Sequence, residues 1–209
     1  MQNSGSLAAL VITVAAISLT GVMAPGPVTA VTITKGTTRK EAGALIALGH
    51  GMIEMPMIVL IGLGFGTIMS VPCVRTGVGL LGGSVLIWMG VSMFRTPTGS
   101  FGERREVASG CVLTGLTTTA ANPYWFVWWA TVGATLVASA STWGLVGLAV
   151  FALAHWLCDV GWLSFLSWVV FTSRRFWTPR LHRAILAVCG VVLAGFGVYF
   201  LVGAMEAML

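Results

Sequence analysis

Residues 42–69 have the sequence AGALIALGHGMIEMPMIVLIGLGFGTIM, in which Glu54 is the one charged residue. A helix needs roughly 20 apolar residues to cross the about 30 Å hydrocarbon core of a bilayer. This stretch exceeds that length, and its residues do not alternate between apolar and polar as in the strands of a membrane barrel. The segment therefore predicts a membrane-spanning helix with a carboxylate near its middle.

The rest of the chain has a similar composition. Of its 209 residues, 8% are charged and 57% are hydrophobic, whereas roughly 25% of the residues in a soluble globular protein are charged. Because residues 1–4 contain no Lys or Arg, we interpret the first apolar stretch as a span rather than a signal peptide. The charge-poor stretches predict an all-α membrane protein with six spans, near residues 7–34, 42–69, 75–95, 110–138, 144–171 and 183–204.

The basic residues predict the orientation of these spans. Ten of the eleven Lys and Arg residues lie in the connections between spans one and two, three and four, and five and six, and Arg75 alone lies on the opposite side. Basic residues are enriched in cytoplasmic loops, so both termini are expected to be extracytoplasmic. This topology also accounts for the net charge of +5, and no nucleic-acid partner is expected.

Each half of the chain has a histidine followed four residues later by an acid. His50 and Glu54 form the first pair, His155 and Asp159 form the second, and the two pairs are 105 positions apart. Residues at this spacing lie on one face of a helix, and a charge at mid-depth costs at least about 2.5–3.5 kcal/mol. We therefore predict that these residues bind substrate or carry the coupling ion. The alternative is that each pair only holds helices together.

Helix-breaking residues interrupt the first and fourth spans. They are Pro25, Gly26 and Pro27 in the first half and Asn122 and Pro123 in the second. Because proline has no backbone N–H, we expect the carbonyl groups of Gly21, Met23 and Thr119 to be free. Irregular backbone at membrane depth is tolerated where it lines a cavity, so the breaks are expected to bind the substrate. Trp125 and its aromatic neighbours predict a cation–π wall, with a packing role or an interfacial belt as the alternative.

The matching positions of pairs and breaks indicate an internal repeat. Each half contains three predicted spans, and an odd number forces the second half to cross the membrane upside down. We therefore expect one transporter domain of 1–209, with repeat one at 1–95, a cytoplasmic loop at 96–109 and repeat two at 110–209.

Other chemistry is weakly indicated. The cysteines, Cys73, Cys111, Cys158 and Cys189, form no C-x-x-C pair, so we interpret them as small apolar residues. H-E-x-x-H and G-x-S-x-G motifs are absent from the sequence, and neither enzymatic activity nor a cofactor is expected. An intramembrane enzyme that uses a His and acid pair is retained as a third hypothesis.

Several segments resemble the LysE/RhtB family of prokaryotic amino-acid exporters. They are residues 24–27, the basic turn 35–40, the small-residue run 42–49, residues 82–95, and Asn122 with Pro123. The resemblance implies a six-helix exporter of amino acids or related small metabolites in the cytoplasmic (inner) membrane, driven by a proton or ion gradient. A homo-oligomer is compatible with these features.

The chain departs from that family in its second span. Many family members have an Asp where this chain has His50 and Glu54. The wider superfamily that the chain resembles includes divalent-cation exporters. Our leading hypothesis is therefore proton-coupled antiport of a cationic or zwitterionic metabolite. The alternative is a divalent metal exporter with His50, Glu54, His155 and Asp159 as ligands.

Overall fold

The computed structural model describes residues 6–64, 71–95, 108–176 and 178–208, and every regular element within these ranges is helical. The helices are α1 (Leu7–Val22), α2 (Pro27–Gly36), α3 (Ala42–Gly62), α4 (Pro72–Arg95), α5 (Ala108–Ala120), α6 (Pro123–Trp128), a π-helix (Trp129–Gly133), α7 (Ala134–Ser141), α8 (Gly144–Ser173), a 3-10 turn (Arg174–Phe176) and α9 (Pro179–Glu206). Most of the predicted loop 96–109, and residues 65–69 of the second predicted span, lie outside the described residues.

Four helices are long and apolar enough to cross a membrane within the described ranges: α3, α4, α8 with its 3-10 turn, and α9. The pair α1 and α2 passes the same test jointly, but it is bent by 77°. The predicted span 110–138 is divided among α5, α6, the π-helix and α7, and none of these pieces reaches about 20 residues. Six spans therefore stay a prediction.

Both predicted interruptions are confirmed as breaks between helices. Pro25 lies in the connection after α1, Gly26 is the N-cap of α2, and Pro27 is its first residue. In the second half the Asn122 side chain caps α6 by accepting from the Tyr124 N–H at 3.2 Å. Proline is well suited to the first helical position, where its missing N–H would have no partner anyway. Pro27 and Pro123 therefore begin new helices rather than bending continuous ones.

The prediction of free carbonyl groups beside the breaks is wrong at two positions. The Gly21 carbonyl accepts from the Ala24 N–H at 3.1 Å, and the Thr119 carbonyl accepts from the Asn122 N–H at 3.0 Å. Terminal helical carbonyls are commonly satisfied in this way, by bonds three residues apart that tighten the last turn. A substrate at the breaks would thus meet carbonyls that already have one partner.

The helix contacts are related by an exchange of the two halves. Helix α1 of the first half packs on α8 of the second half, and α5 of the second half packs on α3 of the first half. The middle helices α3 and α8 pack on each other, as do α4 and α9. Exchanging α1 with α5, α3 with α8 and α4 with α9 converts the first two contacts into each other and maps each of the last two onto itself. The contact pattern is therefore that of two similar units related by a twofold exchange.

The contact between α4 and α9 repeats this exchange residue by residue. A Cβ atom added at Gly83 or Gly197 would lie 2.7 or 2.6 Å from the carbonyl oxygen of the other glycine. Gly90 and Gly190 show the same reciprocal contact, at 2.5 and 2.7 Å. Gly190 follows Gly83, and Gly197 follows Gly90, by 107 positions, close to the spacing of the His and acid pairs. Small residues let membrane helices approach closely, and these four are required for the observed separation.

Candidate functional site

The two His and acid pairs meet where α3 crosses α8. Oε1 of Glu54 lies 3.1 Å from Nε2 of His50 and 3.1 Å from Nε2 of His155. Each of these nitrogens is also 3.8 Å from a carboxylate oxygen of Asp159. Glu54 therefore connects both halves of the chain, and the four side chains form one cluster, which we call the His–acid centre.

The His–acid centre is buried. Glu54 is 0% exposed and Asp159 is 4% exposed, and both histidines are buried as well. Oε2 of Glu54 and Oδ2 of Asp159 are buried and have no hydrogen-bond partner within the described part of the chain. Buried polar atoms without partners are uncommon in folded proteins and call for an explanation. A proton or a bound cationic group would supply the missing interaction.

Two hydroxyl groups orient the imidazoles, and each comes from the opposite half of the chain. Oγ1 of Thr119 on α5 lies 2.7 Å from Nδ1 of His50, and Oγ of Ser18 on α1 lies 2.6 Å from Nδ1 of His155. Sequence reasoning missed both hydroxyl groups, because it named Thr119 only for its backbone carbonyl and did not name Ser18. The available signal was weak, because Ser and Thr in membrane helices commonly bond to their own backbone.

Aromatic rings surround His155 more closely than His50. Trp128 stacks on the His155 ring at a centroid distance of 5.1 Å, and Phe151 stacks on it at 5.8 Å. Trp125 meets the ring of His50 edge-on at 6.5 Å. The predicted aromatic wall is thus beside the histidines, and Trp125 is 5% exposed, which places it inside the protein.

A cavity of about 70 Å³ contains the His–acid centre and both helix breaks. Its lining comprises Gly21, Val22, Ala24, Gly26, Val28, Thr29, His50, Glu54, Asn122, Tyr124, Trp125, Trp128, Trp129, His155, Asp159 and Leu163. Among the predicted site residues, the centre, Gly26, Asn122 and Trp125 are thereby brought together. Pro25 and Pro27 are adjacent in sequence to lining residues but do not line the cavity, and the predicted contribution of the Pro123 side chain lies outside the described part of the structure.

Three of the centre's residues also have the spacing of metal ligands. His50, Glu54 and Asp159 each offer one ligand atom, and these atoms lie within 4.8 Å of one another. Imidazole and carboxylate groups are ligands for zinc and other divalent transition metals. The geometry is therefore compatible with a proton, an ammonium group or a divalent cation.

Comparison with known proteins identifies a family. No curated protein and no solved structure matched the chain. The model of the family described as LysE type translocator matches residues 19–204, which include both breaks and the whole His–acid centre. The chain therefore belongs to the LysE type translocator family, whose members are membrane transporters that export small molecules rather than enzymes.

Proposed function

We propose that this protein is a secondary active exporter of amino acids or related small cationic or zwitterionic metabolites, working by proton antiport. One observation carries the proposal: buried carboxylates from both halves line one cavity that both helix breaks also line. Each carboxylate has an oxygen without a hydrogen-bond partner among the described residues. A site of this kind can alternately hold a proton and a positively charged substrate group.

The ammonium end of the substrate is assigned to Oε2 of Glu54 and Oδ2 of Asp159. Both atoms are buried and make no hydrogen bond with the described residues, and a hydrogen bond to a charged group contributes about 1.5–3 kcal/mol. Charged residues inside membranes usually face a cavity or pathway because isolated burial is costly. Binding of an ammonium group would offset that cost.

The carboxylate end is assigned to the N-terminus of α2. Gly26 provides no side-chain cap, and Val28 and Thr29 of the first turn line the same cavity. The first N–H groups of a helix have no intrahelical acceptor, and the helix dipole favours an anion there. The cavity volume of about 70 Å³ exceeds the about 10–15 Å³ that a single water needs, so the cavity has room for a small polar group.

Proton coupling follows from exclusive occupancy of the carboxylates. Moving one positive charge outward against an interior-negative potential costs about 2.3 kcal/mol per 100 mV, so export of a cationic substrate needs an energy source. If a proton from outside and a substrate from inside compete for Glu54 and Asp159, each displaces the other. The two histidines, at 3.1 Å from Glu54, provide further groups that can exchange the proton.

We further propose six spans in a single domain of two inverted repeats, with both termini outside the cytoplasm of a prokaryotic cell. The reciprocal contacts of α4 with α9 and of α3 with α8 support the repeat. The exposed Cys73 near the start of α4 offers a test of the orientation. A membrane-impermeant thiol reagent is expected to label it in intact cells, with Cys73→Ala as the control. Labelling only after permeabilisation would reverse the assigned orientation.

Transport is tested in inside-out membrane vesicles. Vesicles with the wild-type protein are expected to accumulate labelled lysine, threonine or a similar amino acid when a proton gradient is imposed. The variant with Glu54→Gln and Asp159→Asn together is expected to lose that accumulation. Unchanged uptake by this variant would contradict the roles assigned to the two acids.

A divalent metal exporter is the second candidate function. It is favoured by the ligand atoms of His50, Glu54 and Asp159 within 4.8 Å of one another. On this hypothesis the purified protein binds one Ni, Co, Zn or Mn ion tightly, and His50→Ala and His155→Ala each abolish that binding. Stoichiometric metal binding that survives both substitutions excludes the metal hypothesis.

A further inference from the structure

A continuous chain of hydrogen bonds connects the two halves through the His–acid centre. It runs from Ser18 on α1 to His155, then to Glu54, then to His50, and ends at Thr119 on α5. Its four links measure 2.6, 3.1, 3.1 and 2.7 Å. Thr119 lies in the last turn of α5 and Ser18 lies about one turn before the end of α1, since α5 ends at Ala120 and α1 ends at Val22. The chain therefore links both broken helices to the shared carboxylate.

The direction of the bond at Thr119 can be deduced. A threonine hydroxyl has one proton, and Oγ1 of Thr119 donates it to the Gly115 carbonyl at 2.7 Å. The same oxygen must then accept from Nδ1 of His50, which lies 2.7 Å away. Nδ1 of His50 consequently carries a proton, and this proton is held away from Glu54. Nε2 is the nitrogen that faces Glu54, at 3.1 Å.

His50 depends on this contact more than His155 depends on Ser18. The ring of His155 is also fixed by stacking on Trp128 and Phe151. The described rings near His50 offer an edge-on contact with Trp125 at 6.5 Å. Without the Thr119 hydroxyl, the His50 ring would lose the bond that selects its tautomer and its orientation.

We propose that Thr119 is a positioning residue that fixes the Nδ1–H tautomer of His50, so that Nε2 alone exchanges a proton with Glu54. In the exchange the Nε2–H bond breaks and an O–H bond forms on Oε1 of Glu54, and the reverse step restores both groups. The Nδ1–H bond is unchanged throughout. Ser18 has the corresponding position at His155. This inference rests on the proposed proton-coupled transport.

The test compares three threonine variants. Thr119→Val keeps the shape and removes the hydroxyl, whereas Thr119→Ser keeps the hydroxyl. Thr117→Val is the matched control, because Thr117 is on the same helix, is exposed, and bonds only to backbone carbonyls within α5. We expect Thr119→Val to lower kcat about tenfold with KM unchanged within about twofold, Thr119→Ser to restore transport, and Thr117→Val to behave as wild type.

Nitrogen NMR of the protein with ¹⁵N-labelled histidine reads the tautomer without transport. The chain has three histidines, and His50→Gln identifies the His50 signals. We expect a protonated Nδ1 at His50 in the wild type and in Thr119→Ser, and a mixture of tautomers in Thr119→Val. A wild-type His50 spectrum in Thr119→Val overturns the proposal, as does a general rise in KM without a change in kcat. If the wild type transports no amino acid, the transport proposal fails, and the NMR result alone decides the assignment of Thr119.

Discussion

Replacing Glu54 with Gln tests the ammonium site most sharply, because the substitution keeps the shape and removes the charge. Glu54 is 0% exposed, and its Oε2 accepts no hydrogen bond from any described residue. A hydrogen bond to a charged group is worth about 1.5–3 kcal/mol, and each 1.4 kcal/mol is a tenfold change in Kd. We therefore expect Glu54→Gln to weaken amino-acid binding by about 10- to 150-fold.

Thermal melting of the purified protein with each of the twenty common amino acids provides the assay. A ligand at 100 times its Kd stabilises the folded state by about 2.7 kcal/mol, which raises Tm by roughly 5–11 °C in a chain of this size. The same ligand concentration should raise the Tm of Glu54→Gln by much less, because its Kd is higher.

Glu41→Gln is the matched control for this experiment. The Glu41 side chain is 51% exposed and lies 3.7 Å from Arg39 and Lys40, and exposed pairs contribute about 0–1 kcal/mol. It should show the wild-type shift. An equal ligand-induced shift in Glu54→Gln and wild type, or no shift with any amino acid, would refute the assignment of the ammonium site.

Two further predictions concern the helix contacts and the second break. Gly90→Ala places a Cβ atom 2.5 Å from the Gly190 carbonyl oxygen. It should destabilise the protein by about 1–3 kcal/mol, measured as a lower Tm. Gly77→Ala on the same helix is the control and should not lower Tm, because the added Cβ atom has no described atom within 4 Å. Asn122→Ala removes the cap of α6 and should cost about 0.5–2 kcal/mol and also reduce transport. Ser6→Ala removes the cap of α1, far from the cavity, so it should reduce stability alone; equal transport in both cap variants would argue against a role for the second break.

The features predicted correctly from the sequence are those that depend on the conformation of the chain within one helical turn. The interruptions of the first and fourth spans were predicted because proline has no N–H and a fixed φ. The cap that the Asn122 side chain provides for α6 was not predicted. The spacing of four residues likewise places His50 beside Glu54. These properties act within one turn of the chain and are therefore visible in the sequence.

The assembly of the centre depends on contacts between helices and was less predictable. His155 lies 3.1 Å from Glu54 but 3.8 Å from Asp159, its neighbour on the same helix. Thr119 and Thr117 are the same residue type on the same helix, and each donates to a backbone carbonyl of α5. Only the packing of α5 on α3 brings Thr119 to a histidine. Such roles are decided by the relative placement of helices, which a single sequence does not specify.

The π-helix was also unexpected. It begins at Trp129, immediately after α6, and ends at Gly133. The ring of Trp129 covers the position where Gly133 would carry a Cβ atom, so this local packing requires glycine there. π-helical turns are frequent at functional sites, and this one lies between the cavity lined by Trp129 and α7.

The most direct test of the central claim measures proton movement during amino-acid transport. Proteoliposomes that contain a pH-sensitive dye are given an amino-acid gradient across the membrane and no initial pH difference. We predict that protons move opposite to the amino acid, and that Glu54→Gln with Asp159→Asn abolishes both movements. Amino-acid flux without opposite proton flux, or flux that persists in the double variant, would contradict a shared proton and substrate site.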